Sequence, residues 1–197
     1  MTSSKQNQQD DVLGHSAGTS MVSALAAGRP RAEYAPALRL YGQLVGEWDV
    51  TNRYFVEDPP GSAAGGWRTG TVVWTFGWIL AGIAVQDVMW FTKDDGAGGT
   101  VTTTGSTMRL YDPGADVWHV VWFSPAGTTC TMIGRPGPDG GIVQDGHRAD
   151  GRPIRWSFIE LTDRSFRWLG HVSDDDGATW RLEQEMHARR RDTPHHG

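Results

Sequence analysis

From Trp48 to Met186 the chain alternates between apolar and polar positions, broken by short turns rich in glycine and aspartate. GEWDVTNRYF places Trp48, Val50, Asn52 and Tyr54 on one face of an extended segment. After the loop EDPPGSAAGG, GTVVWTFGWIL aligns Val72, Trp74, Phe76 and Trp78, and AGIAVQDVMWF follows closely enough to be its hairpin partner. The threonine-rich TVTTTGSTMRLYD reads as a further strand. PIRWSFIEL aligns Ile154, Trp156, Phe158 and Glu160, and RSFRWLGHVS aligns Phe166, Trp168, Gly170 and Val172. In ATWRLEQEMHARR, Trp180, Leu182, Gln184 and Met186 stand against Arg181, Glu183, Glu185 and His187. That charged face belongs in solvent, so the tryptophan face is expected inside.

DVWHVVWF is the one segment where two periods compete. Trp118 and Trp122 lie four residues apart, which fits a helical turn as well as alternate positions on a strand. Its β-branched content, its short length and the flanking turns PGAD and SPAG favour a strand. Trp118, Val120 and Trp122 then share the inner face, and His119, Val121 and Phe123 the outer one.

Turn signals recur at short intervals: DDGAGG, DPGAD, GPDGG, ADGRP, TDR and DDDGA. They imply about nine or ten antiparallel strands in chain order. A sheet of that size tends to curl and close, which removes its edges and leaves a lumen wide enough for one small ligand. The expected fold is therefore all-β, an antiparallel up-and-down barrel. A short helix precedes it between Ala32 and Val45, where Tyr34, Leu38, Tyr41 and Leu44 recur at helical spacing. Residues 1–30 are rich in Ser, Gln, Gly and Ala without periodicity and read as a disordered leader. Residues 31–192 read as one domain and 193–197 as a disordered tail.

Three stretches carry a family resemblance. LVGEWDV runs from a helix exit into a Gly-x-Trp on the first strand, YDPGADVW makes a turn between central strands, and SDDDGATWRLEQEMHARR closes the sheet with a basic end. In this order they resemble the bacterial lipocalin-like (calycin) domains, over about Tyr41 to Arg190. The resemblance implies that Trp48 packs across one end of the barrel. Calycins include ligand carriers, haem-binding barrels and a few cofactor-free cyclases or isomerases, so the fold does not choose a function.

Composition sharpens the picture. Ten tryptophans in 197 residues imply large aromatic surfaces that face a core, a pocket or a partner. The formal charge of -5, with no basic stripe, argues against nucleic acid as a partner. No apolar run reaches the length of a membrane span, and the polar MTSSKQNQQDD is unlike a secretory signal. The single cysteine, Cys130, excludes an internal disulfide and suits a reducing compartment. A cytoplasmic protein is expected.

Candidate chemistry centres on the aromatic set Trp74, Trp78, Trp90, Trp118, Trp122, Trp156, Trp168 and Trp180, with Phe158 and Met108 beside it. These residues are expected to line a cavity for a small apolar or aromatic molecule. Asn52, Tyr54, Gln86 and Gln184 share the tryptophan parity, and Asn52, Gln86 and Gln184 could orient a carbonyl or hydroxyl. Glu160 follows Ile154, Trp156 and Phe158; in an apolar cup its pKa would rise and fit it as a general acid, whereas at the strand end it points to water. Asp87 lies opposite Gln86 and Trp90. A one-residue slip would bring it inside, where an inward Arg109 would pair with it. An enzyme without a cofactor, a cyclase, isomerase or hydratase using Glu160 or Asp87, is thus the alternative to a carrier. A filled, purely structural barrel is the third reading.

No His-x-His or Glu-x-x-His arrangement marks a metal site, so none is expected. A haem would need one axial histidine, His171 or His119, and parity turns both outward. No cofactor is expected. Outer apolar positions at Val73, Ile79, Val121 and Phe123 would suit a helix cover or a homodimer.

Overall fold

The computed structural model describes residues 20–94 and 99–192, and the structural statements below concern these. Residues 1–19 of the expected leader and the expected tail lie outside them. Residues 20–30 are not featureless. Ser20 caps a short helix α1 (Met21–Leu25), and strand β1 (Ala26–Ala27) pairs at Trp78 and Ile79 with the end of the long strand Gly65–Ile79.

A single 3-10 turn (Ala32–Tyr34) leads into helix α2 (Ala35–Gly42). Pro36 sits in its first turn, where a missing N–H breaks no helical bond. Leu38, Tyr41 and the following Leu44 are fully buried. Each contributes roughly 1.5–3 kcal/mol of apolar burial.

The remaining ten strands are β2 (Gly46–Glu57), β3 (Gly65–Ile79), β4 (Ala84–Asp94), β5 (Thr100–Asp112), β6 (Val117–Phe123), β7 (Thr129–Pro136), β8 (Ile142–Arg148), β9 (Pro153–Ile159), β10 (Ser165–Val172) and β11 (Arg181–Arg190). Each is antiparallel to the next, and β11 returns to β2, which closes the barrel. The expected all-β, up-and-down barrel with a short N-terminal helix is the observed fold.

Helix α2 plugs one end. The Tyr41 ring lies 4.7 Å from Trp118 and 6.5 Å from Phe158, both edge-on. Trp48, buried beside it, donates its indole N–H to the Leu44 carbonyl at 2.8 Å. The Arg190 guanidinium lies 4.1 Å from the Trp48 ring centre and donates to the carbonyls of Val45, Gln43 and Asp163. Gly46 precedes with φ +131°, and a Cβ there would strike Arg190 Nη1. Gly-x-Trp and the basic strand end are thus two halves of one closure. The opposite end, between the β2–β3, β6–β7, β8–β9 and β10–β11 loops, is the mouth.

Three strands depart from the expected parity, β4 and β5 along their length and β11 at its start. The hairpin from Ile79 to Ala84 leaves four residues between its last partners, so Trp74 faces Met89 and Phe76 faces Asp87. Val85, Asp87 and Met89 therefore point inward with Phe91, while Gln86 and Trp90 point outward. On β5, Thr107, Arg109 and Tyr111 are inward and Met108 outward, opposite Gln86 and Val121.

In β11 a bulge skips Glu183: Gly170 faces Gln184, but His171 faces Leu182. The extra residue swaps the faces beyond it. Arg181 takes the inward parity opposite Val172, Glu183 reaches the lumen, and Trp180 is left outside against Arg155 at 4.6 Å.

Candidate functional site

Between the α2 plug and the mouth the barrel holds a cavity of about 440 Å³. That is within the usual range for small-molecule sites. Trp74, Trp122, Trp156 and Trp168 form its aromatic wall, with Met89, Phe91 and Met186 between them. The rings meet edge to face: Trp122 and Trp156 at 6.2 Å and 82°, Trp156 and Trp168 at 5.3 Å and 64°. Gly170 makes room for this wall, since a Cβ there would come within 2.7 Å of the Trp168 ring. A second lobe of about 240 Å³ shares Phe91, Arg148, Glu183 and Gln184 and is lined further by Asn52 and Tyr54. Gln184 Nε2 donates to Asn52 Oδ1 at 2.9 Å, which links β11 to β2 across the lobe.

The floor is polar beneath an apolar surface. Arg109 lines the cavity yet is only 1% exposed, and its Nη1 donates to Asp87 Oδ2 at 2.6 Å. Asp87 also accepts from the Thr107 amide at 2.9 Å. Arg109 Nε donates to Gln144 Oε1, which the Tyr41 hydroxyl also reaches at 3.0 Å. The guanidinium lies within 5.3–5.8 Å of the ring centres of Tyr41, Phe76 and Phe158. Burial pushes the Tyr41 hydroxyl far above its ordinary range, so it remains a donor.

At the mouth, Arg148 reaches across from β8 to form an ion pair with Glu183 on β11. Glu57 accepts from Arg152 at 2.9 Å and from Arg181 at 3.3 Å. Those bonds, Arg152 first, hold its carboxyl down at about 2. Asp174 accepts from the same two arginines.

The expected ligand contacts divide into three groups. Trp74, Trp122, Trp156, Trp168, Gln184, Asn52 and Tyr54 line the two lobes. Trp78, Trp118 and Phe158 keep the inward parity but belong to the packed closed end. Trp118 and Phe158 pack on Tyr41, and Trp78 lies against Gly42. Trp90, Gln86, Met108 and Trp180 are outside, for the register reasons given above. Gln86 donates to Ser106 Oγ there.

The two proposed acids fare differently. Asp87 is inside, as the slipped register anticipated, but committed to Arg109 and the Thr107 amide. Glu160 is not in the cavity. It stands at the end of β9 with φ 54°, which turns it out to the Arg167 guanidinium at 2.8 Å.

Met89, Phe91, Thr107, Cys130, Arg148 and Glu183 line the cavity without having been singled out as ligand contacts. Reversal of β4 and β5 hid the first three, and the β11 bulge hid Glu183. Cys130 and Arg148 follow simple alternation on β7 and β8, but those strands carry no tryptophan to mark the inner face. Of the histidines, His119 is exposed and bonded to Asp112 at 3.3 Å, His187 is exposed beside Glu185, and His171 lies on the outer face. Among the described residues no three His, Cys, Asp or Glu side chains gather to hold a metal ion, and no helix is long and apolar enough to cross a membrane. Of the outer apolar positions, Ile79 is buried where β1 pairs, and Phe123 is exposed.

No protein-family model matches the chain, and no curated protein matches it. Among solved structures it is similar to the S-type phycobiliprotein lyase CPES from Guillardia theta, with a TM-score of 0.55 and 10% sequence identity. The likeness covers 83% of this chain and 99% of that one. At that identity what is shared is the fold: this chain is a closed, lipocalin-like barrel.

Proposed function

We propose that the protein binds a small, flat, largely apolar organic molecule inside the barrel. The observation that carries this reading is the cavity of about 440 Å³ walled by Trp74, Trp122, Trp156 and Trp168. Indoles offer wide apolar faces at little conformational cost. Transfer of a ligand's apolar surface out of water contributes about 25 cal/mol per Å² before binding costs. The carboxylates at the cavity are already paired, Asp87 with Arg109 and Glu183 with Arg148. The site therefore favours a carrier over an acid catalyst. The structural relative is a phycobiliprotein lyase; a bilin-like or other conjugated molecule has the flat shape that such a wall accepts. The lone, unpaired Cys130 supports a reducing, cytoplasmic setting.

The test is titration with N-phenyl-1-naphthylamine, a neutral aromatic probe that brightens in apolar surroundings. Saturable binding at one site is expected, weakened at least tenfold by Trp156→Ala with the far-ultraviolet circular dichroism unchanged. Absence of binding, or binding indifferent to Trp156, overturns the reading.

A further inference from the structure

Trp74 is fully buried, lines the cavity, and among the described residues nothing accepts its indole hydrogen. This sets it apart from Trp48, whose N–H is taken by a backbone carbonyl. A buried donor left without a partner is costly, and such groups are nearly always satisfied by protein, water or ligand. Trp74 also marks the deep end. Its ring packs on Phe76, Phe158 and Phe166, and the same residue belongs to the cavity lining.

The charges around the cavity restrict what that partner can be. Arg109 is held by Asp87, Arg148 by Glu183, and Asp150 by Arg152 at 3.0 Å. Each of these charges already has its opposite. A carboxylate entering here would lose its hydration and find no free cation among the described residues, and an ammonium no free anion.

We infer that the ligand is uncharged where it meets the floor and carries a carbonyl-type oxygen, which accepts the hydrogen of Trp74 Nε1 at the deep end of the cavity while its flat apolar body lies along Trp122, Trp156 and Trp168. This rests on the proposed binding function and names the chemical class that the cavity selects.

Three probes of one shape separate the possibilities: fluorene, which has no acceptor; 9-fluorenone, its ketone; and fluorene-9-carboxylate, its anion. Their affinities are measured by equilibrium dialysis against the wild type and Trp74→Phe. The ratio of fluorenone to fluorene affinity is expected to fall about tenfold in the variant, the size of one buried hydrogen bond. The carboxylate is expected to bind more weakly than the ketone. A ratio unchanged by Trp74→Phe, or a carboxylate that binds tightest, overturns the inference and leaves the binding function standing. Failure of all three probes to bind overturns both.

If Trp74→Phe does not fold, the proton–nitrogen spectrum of the wild type decides. The Trp74 indole resonance is expected to move downfield with fluorenone and much less with fluorene. An indole signal equally indifferent to both, with fluorenone bound, overturns the inference.

Discussion

Arg109 and Asp87 form an ion pair of 2.6 Å in the floor of the barrel, with side chains 1% and 0% exposed. Neither charge has water to fall back on. Removing one partner strands the other, which in buried pairs costs about 3–5 kcal/mol. Asp87→Asn and Arg109→Met should each destabilise the protein on that scale in urea unfolding. The double variant should lose clearly less than the two losses added, because no orphan charge remains. Additive losses would mean that the pair is not coupled as its geometry requires.

Trp90 and Trp156 offer a direct test of strand parity. Both were expected to share the inner face, yet Trp90 is 51% exposed on the outside while Trp156 lines the cavity. Trp90→Thr should change stability by less than about 0.5 kcal/mol and leave N-phenyl-1-naphthylamine affinity unaltered. A loss of probe binding comparable to that of Trp156→Ala would place the ring inside after all.

These two cases show what alternation conveys and where it stops. On β3, β6, β9 and β10 one face is plainly richer in large apolar residues, so Trp74, Trp122, Trp156 and Trp168 are readable as inward. On β4, VQDVMWF is apolar on both faces, and the choice is made by the four-residue hairpin connection to β3. On β11 a single skipped residue, Glu183, reverses the face of Arg181 and Trp180. Nothing local in TWRLEQEM announces that bulge. The Asp87–Arg109 pair is suggested by sequence only once the slip is allowed, because its two members stabilise each other across strands rather than along one.

Glu57 ties β2 to the loops around the mouth through Arg152 and Arg181, and the Arg152 bond first of all lowers its pKa from 4.5 to about 2. A carboxyl whose folded pKa lies below its unfolded one adds stability that is fully present above the unfolded value. That contribution is lost as pH falls from about 4.5 to about 2. Wild type should therefore exceed Glu57→Gln in unfolding free energy at pH 6, and the gap should shrink through this window. A gap that stays constant down to pH 2 would mean that Glu57 is not held by the arginines.

Arg190 closes the plugged end by stacking on Trp48 and donating to three carbonyls. A lysine keeps the charge but has neither the planar face nor the fork of donors. Arg190→Lys should lower stability by about 1–3 kcal/mol, read as a fall in melting temperature, with probe affinity unchanged because the cavity lies beyond Trp48. Full stability with lysine in place would show that charge alone suffices there.

Cys130 lines the cavity, and burial pushes its thiol up to about 11. The thiolate is the reactive form, so about one molecule in a thousand is poised to react at pH 8. Alkylation by iodoacetamide should accordingly be slow at pH 8 and still accelerating between pH 9 and 11, where an exposed thiol would already have levelled off. Saturating N-phenyl-1-naphthylamine should slow it further, since the probe and the reagent need the same space. A rate that plateaus near pH 9 would show the thiol to be solvated, and a rate indifferent to the probe would place ligand and cysteine in separate compartments.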